Sequence, residues 1–204
     1  MQITPTSIPD VKIIEAKRFG DHRGFFSEVY NRRAFEEAGL MLDFVQDNHS
    51  RSAERGTLRG LHFQSPPHAQ TKLVRVLHGA ILDVAVDLRH GSPTFGRHVA
   101  VELTDEGWRQ LLVPKGFAHG FVTLVEDTEV FYKVDAYYAP AHDHGVMWND
   151  PDLAIDWPVD AGRVVLSAKD AAQPAFRDLP VHFTAGRPDL LARDHAGADP
   201  VESL

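Results

Sequence analysis

Ala80-Ile81-Leu82-Asp83-Val84-Ala85-Val86-Asp87-Leu88 is the stretch that decides the fold class. Leu82, Val84, Val86 and Leu88 alternate with Ile81, Asp83, Ala85 and Asp87, a period-2 pattern with one strongly apolar face. Val99, Val101 and Leu103 repeat the pattern, as do Val130, Tyr132 and Val134. Turn signals separate these runs: His90-Gly91-Ser92-Pro93, Pro114-Lys115-Gly116 and Glu126-Asp127. Short strands so closely punctuated, dominating residues 10 to 165, predict an all-β antiparallel sandwich or barrel. Helices are expected only at the periphery. Asn31 caps one short segment that ends at Gly39, and a second turn starts at Ser167.

The chain has 204 residues, 43% of them hydrophobic and 25% charged, which suits one globular domain. Apolar periodicity fades near Pro180, so we read residues 1–185 as the domain and 186–204 as a partly ordered tail. With no cysteine, disulfides, thiolate nucleophiles and cysteine-bound zinc are excluded. A net charge of −8 argues against nucleic-acid binding, though not against a small anion held by a local cluster of cations. No apolar run approaches the roughly 18 residues that span a bilayer, so no membrane partner is expected. Met1-Gln2-Ile3-Thr4-Pro5 lacks the layout of a secretion signal, and a cytoplasmic location is the expectation.

Chemistry concentrates around Arg59-Gly60-Leu61-His62-Phe63-Gln64 and Lys72-Leu73-Val74-Arg75. In an extended chain Gly60, His62 and Gln64 share one face, while Lys72 opens a face continued by Val74 and Val76. Alone, a strand histidine is more often satisfied by a backbone hydrogen bond than used as a base. A lysine on an apolar strand face, however, is uncommon without a task. A base and a cation in a dry pocket suit removal of a proton beside a carbonyl. Arg59 has the wrong parity to join His62 unless Gly60 permits a bend.

Three further positions stay open on their residues alone. His119, between Ala118 and Gly120, either meets a ligand or relieves crowding. Tyr132 packs, or serves as an acid to a carbanion. Asp170 is a loop carboxylate or a helix cap. His142-Asp143-His144 is the one His-x-His of the chain, and no further glutamate and histidine accompany it to complete a metal site.

The ordered motifs are dense. They include Asp21-x-Arg23-Gly24-x-Phe26, Gln46-Asp47-Asn48, Leu58-Arg59-Gly60-Leu61-His62-Phe63-Gln64 and Ala69-Gln70-x-Lys72-Leu73-Val74-Arg75. Further on come Pro114-x-Gly116-Phe117-Ala118-His119-Gly120-Phe121, Tyr132-Lys133-x-x-x-Tyr137-Tyr138 and Asn149-Asp150-Pro151-Asp152-Leu153. Over about residues 10 to 180 the chain resembles the dTDP-4-dehydrorhamnose 3,5-epimerase family.

That resemblance implies a cupin-like jelly roll without metal or redox cofactor, working as a homodimer. The implied substrate is a dTDP-4-keto-6-deoxy sugar, dTDP-4-dehydro-6-deoxy-D-glucose, epimerised at C3 and C5 on the route to dTDP-L-rhamnose. By the same resemblance, His62 is the base and Asp170 its carboxylate partner. Tyr132 is the acid on the opposite ring face, and Lys72 lies beside the C4 oxygen. Arg23, Glu28, Gln46, Asp47, Asn48, Arg59, His119, Asp143 and Lys169 match positions that contact the nucleotide-sugar, and Tyr138 matches a thymine platform. The family commonly carries Glu and Arg where this chain has Asp143 and His144. The rival expectations are an epimerase acting at C3 or C5 alone, a catalytically silent nucleotide-sugar binder, and a metal-dependent cupin enzyme.

Overall fold

The computed structural model describes residues 1–186. The tail expected over 186–204 therefore lies, from residue 187 on, outside the described residues. In chain order the strands are β1 (Gln2–Pro5), β2 (Lys12–Glu15), β3 (Arg18–Asp21), β4 (Gly24–Ser27), β5 (Gln46–Ser52), β6 (Leu58–Gln64), β7 (Lys72–His78) and β8 (Ala80–Asp87). They continue as β9 (Arg89–His90), β10 (His98–Thr104), β11 (Arg109–Val113), β12 (Phe117–Thr123), β13 (Thr128–Val134), β14 (Asp143–Gly145) and β15 (Phe183–Thr184). The two short α-helices are α1 (Arg32–Glu37) and α2 (Ala168–Ala171).

A six-stranded sheet, β1-β2-β11-β7-β13-β5, packs on a five-stranded sheet, β10-β8-β12-β6-β14. Every pairing within the two is antiparallel, and together they make a cupin-like jelly roll. The short β9–β15 pair is parallel.

Period-2 patterning sorts the side chains into three apolar layers. Between the sheets lie Val74, Val76, Ile81, Ala85, Val99, Leu111, Phe117, Phe121 and Val130. Outside the five-stranded sheet, Leu61, Phe63, Val84, Val86 and Val122 are covered by Trp148, Leu153, Trp157 and Phe183 from the C-terminal third. Outside the six-stranded sheet, Ile14, Leu73 and Leu112 are covered by Phe35 of α1. Each fully buried side chain of this kind contributes roughly 1.5–3 kcal/mol.

β8 departs from a simple one-sided strand. Its apolar face, Val84 and Val86, turns outward beneath Trp148 and Trp157, while the face bearing Ile81, Asp83 and Ala85 lines the interior. Both faces are buried because a C-terminal cover lies on one and a second sheet on the other. α1 is as expected, with the Asn31 side chain accepting from Ala34 N at 3.2 Å. α2 is capped by Ser167, whose Oγ accepts from Asp170 N at 3.1 Å.

Candidate active site

The interior holds polar groups at one end. From the six-stranded sheet come Lys72 of β7, Tyr132 of β13, and Gln46 and Asn48 of β5. Tyr132 pairs with Val74 on one side and Asn48 on the other, and Val134 pairs with Lys72 and Gln46. These four polar positions share the inward parity of Val74 and Val130.

From the facing sheet, His62 of β6 pairs with His119 of β12, and Arg59 pairs with Phe121. Gly120 alone on β12 thus opposes both Gly60 and Leu61 on β6, a bulge at Gly60–Leu61. The bulge settles the parity question, since it turns Arg59 and His62 to the same inner face. Gly60 is required there: its φ is +136°, and a Cβ would sit 2.5 Å from the Gly120 Cα. Arg59 reaches across to the opposite sheet, donating from Nε to Ser52 Oγ at 3.2 Å.

His62 Nε2 lies 2.5 Å from Asp170 Oδ1. A carboxylate only accepts, so Nε2 is the donor, and in the neutral ring Nδ1 is the nitrogen with the free lone pair. Burial opposes ionisation of Asp170, but the His62 hydrogen bond and charge, the Ser167 hydroxyl and the Gly60 backbone outweigh it and hold its pKa below the ordinary value. Residue 170 is thus both the helix position that the cap secures and the hydrogen-bond partner of His62.

Lys72 is half-buried, and desolvation pulls its pKa down to about 8, against the opposing fields of Asp143 and Asp83. Burial raises the Tyr132 pKa, with Arg59 lowering it and Asp143 raising it. A phenol so placed remains protonated at neutral pH.

Asp143, inward-facing on β14 by its pairing with Gln64, gathers the mouth of the site. Its Oδ2 accepts from Tyr138 Oη at 3.0 Å and from Lys169 Nζ at 2.5 Å. Gln46 Oε1 accepts from Tyr138 N at 3.2 Å, tying the tyrosine's loop to β5. The exposed Tyr138 ring is free to receive a flat partner.

Some expected contacts are not brought together. Asp47 has the opposite parity to Gln46 and Asn48, and pairs with Lys133 at 2.8 Å. Arg23 and Glu28 belong to the β3–β4 hairpin region, which packs on Trp108 and the outward-facing Arg75 behind the six-stranded sheet. There Arg23 pairs with Asp21 at 2.6 Å and Glu28 accepts from Asn31 at 2.9 Å. His144 turns to the outer face, against Phe63 and His182, and its Nε2 lies 3.1 Å from Ser65 Oγ. His144 therefore takes no place in the interior. His142 Nδ1 meets the same serine at 2.9 Å. Among the described residues, no group of three or more His, Asp or Glu side chains could hold a metal ion.

One interior residue drew no attention in the sequence. Asp83 accepts from His119 Nε2 at 2.6 Å, both being buried. The signal was present: a carboxylate inside an apolar strand is uncommon without a partner.

A family model described as dTDP-4-dehydrorhamnose 3,5-epimerase matches residues 5–178. A relative of that name from Pseudomonas aeruginosa is 55% identical over 179 residues, covering 87% of this chain and 97% of the relative. The crystal structure of a Legionella pneumophila dTDP-6-deoxy-D-glucose-3,5-epimerase in complex with dTDP-4-keto-L-rhamnose is 47% identical, with a TM-score of 0.86, covering 90% of this chain and 97% of that one. The Bacillus anthracis dTDP-4-dehydrorhamnose 3,5-epimerase, solved with TDP and PPi bound, is 55% identical with a TM-score of 0.83, covering 85% of this chain and 98% of that one. With fold, family model and relatives in agreement over most of its length, the chain belongs to the dTDP-4-dehydrorhamnose 3,5-epimerase family, isomerases of dTDP-L-rhamnose biosynthesis.

Proposed function

We propose that the interior site inverts C3 and C5 of dTDP-4-dehydro-6-deoxy-D-glucose by the residues named above, giving dTDP-4-dehydro-L-rhamnose. His62 Nδ1 takes the proton from a carbon beside the C4 ketone, and the electron pair moves onto the C4 oxygen. The Lys72 ammonium receives that charge, a contact worth on the order of 3 kcal/mol in the transition state. General base catalysis by His62 adds about 10²–10⁴-fold. Asp170 is the orienting carboxylate, fixing the tautomer and steadying the imidazolium. Tyr132 Oη then protonates the opposite face of the enolate, which inverts the carbon. Exchange with water restores the phenol and the neutral imidazole.

The observation that carries this is the placement of His62 and Tyr132 on facing inner surfaces, from sheets that pack roughly 10 Å apart. Tyr138, Lys169, Asp143, Gln46, Asn48, Arg59 and His119 then line the path of the nucleotide. Turnover in deuterated water, followed by NMR of the product, tests it: deuterium is expected at both C3 and C5. Label at one carbon alone would make the protein a mono-epimerase, and no label would make it a binder.

The two residues left behind support a homodimer. Arg23 and Glu28 lie on the wrong side of their own six-stranded sheet, and the neighbouring Phe19, Phe25 and Phe26 are 52%, 57% and 69% exposed. Such a patch on a small hairpin marks a protein contact. In the dimer, one copy's hairpin brings Arg23 and Glu28 to the mouth of its partner's site. No helix among the described residues is long and apolar enough to cross a membrane. Cytoplasmic work on a nucleotide-sugar is consistent with that and with the absence of cysteine.

A further inference from the structure

Asp83 takes no part in the steps above, yet it is completely buried on the inner face of β8. Its neighbours along that face, Ile81, Ala85, Val101 and Phe121, are apolar, so an aliphatic residue would pack there without difficulty. One oxygen accepts from His119. The other, Oδ2, is the one buried side-chain polar atom among the described residues with no hydrogen bond. Leaving such an atom unsatisfied costs about 1–3 kcal/mol, more when it is charged. Retention of so unfavourable a group on the wall of a reaction chamber calls for a role that its charge can fill.

We propose that Asp83 is a positioning residue for epimerisation: one oxygen holds His119 with Nδ1 turned to the substrate, and the other supplies a standing counter-charge to the Lys72 ammonium from across the interior. This rests on Lys72 being the cation beside the C4 oxygen. Lys72 forms no ion pair within 4 Å among the described residues, and its N–H donors stay available for the ketone. A carboxylate in direct contact would occupy those donors and neutralise the charge needed by the enolate. One held farther off and sealed from water favours the ammonium and leaves its donors unspent. The field of Asp83 acts on Lys72 in that sense, as does the larger field of Asp143. The other titratable groups on the inner faces around Lys72 are Arg59 and His62 of β6, His119 of β12 and Tyr132 of β13. His119 Nε2, bonded to Asp83, carries a proton, which fixes Nδ1 as the atom offered inward.

Asp83→Asn tests this, because the amide keeps the shape and an acceptor for His119 and removes the charge. The Lys72 side-chain titration, read from its 13Cε resonance, is expected to move to lower pH by about one pH unit. The alkaline limb of kcat/KM should move with it, so that activity is close to wild type on the acid side and falls below wild type by a factor that approaches about tenfold above pH 8. Affinity for dTDP should change less than threefold. Asp83→Ser, which keeps a hydroxyl acceptor, must shift the limb in the same direction. An unmoved Lys72 resonance, or an activity loss equal at all pH values, would overturn the proposal. The resonance reports on Asp83 without turnover. Failure of the wild-type protein to epimerise the keto-sugar would count against the reading of the site, not against this coupling.

Discussion

His62 and Asp170 meet at 2.5 Å, although 108 positions separate them along the chain. The contact depends on two local devices. The bulge in β6 presents the imidazole inward, and the Ser167 cap sets the first turn of α2 so that Asp170 is buried against it. The proposed base and its orienting group are thus supplied by different layers of the fold.

Asp170→Asn should leave nucleotide affinity within a few-fold and lower kcat by about 10²–10⁴, because the amide cannot steady the imidazolium and can enforce the wrong tautomer. The linkage has a definite sign. A carboxyl whose folded pKa lies below its unfolded value of about 3.9 contributes stability above that pH. The contribution is lost as pH falls through the folded value. Acid unfolding of the Asn variant should therefore be less steep than that of wild type, as followed by circular dichroism.

Lys72 is a case where function opposes stability. With a folded pKa of about 8, the ammonium is present at neutral pH and lost above it, so an alkaline limb in kcat/KM is expected near pH 8. Its unfolded pKa is higher, so wild-type stability should rise as pH climbs from about 8 towards 10.5. Lys72→Met should abolish that rise, cut kcat by at least about a hundredfold, and stabilise the protein at neutral pH by roughly 1–3 kcal/mol. Calorimetric melts with parallel rate assays would show whether the two effects separate as described.

Much of this was legible in the sequence. The alternation of Val130, Tyr132 and Val134 placed the phenol on an apolar face, and the signals at Asn31 and Ser167 located both helices. The inward turn of Arg59 was left open at Gly60, because strand parity holds only until a bulge breaks it, and the bulge needs β12 beside β6. The orientation of β8 was also hidden. Nothing in Leu82, Val84 and Val86 says that a C-terminal cover will claim them and leave Asp83 to the interior. Nor could linear motifs show that Arg23 and Glu28 would fall behind the sheet.

Gly60→Ala should disrupt the site through the backbone. The added methyl meets the Gly120 Cα at 2.5 Å and stands at a φ that L-residues avoid. A loss of roughly 2–5 kcal/mol is expected, visible as a lower urea midpoint. An Ala variant of wild-type stability would mean that the bulge is not held by this close approach.

Hybrid dimers can test the assignment of Arg23 to the partner's site. Arg23→Ala and His62→Ala homodimers should both be impaired. Mixed dimers, made by co-expression with two affinity tags, should recover about half of wild-type activity, since one of their two sites has both residues intact. Recovery no greater than the mean of the parents would place Arg23 in its own chain's site or outside catalysis altogether.

Opposed acid and base on two facing sheets are the centre of the proposed mechanism, and Tyr132→Phe interrogates them most directly. Incubated with the keto-sugar in deuterated water, this variant should still exchange substrate hydrogen at the carbons beside the ketone, because His62 is intact. It should yield inverted product at least about a hundredfold more slowly than wild type. Wild-type inversion by Tyr132→Phe, or loss of exchange together with inversion, would contradict delivery of the proton from the second face by this phenol.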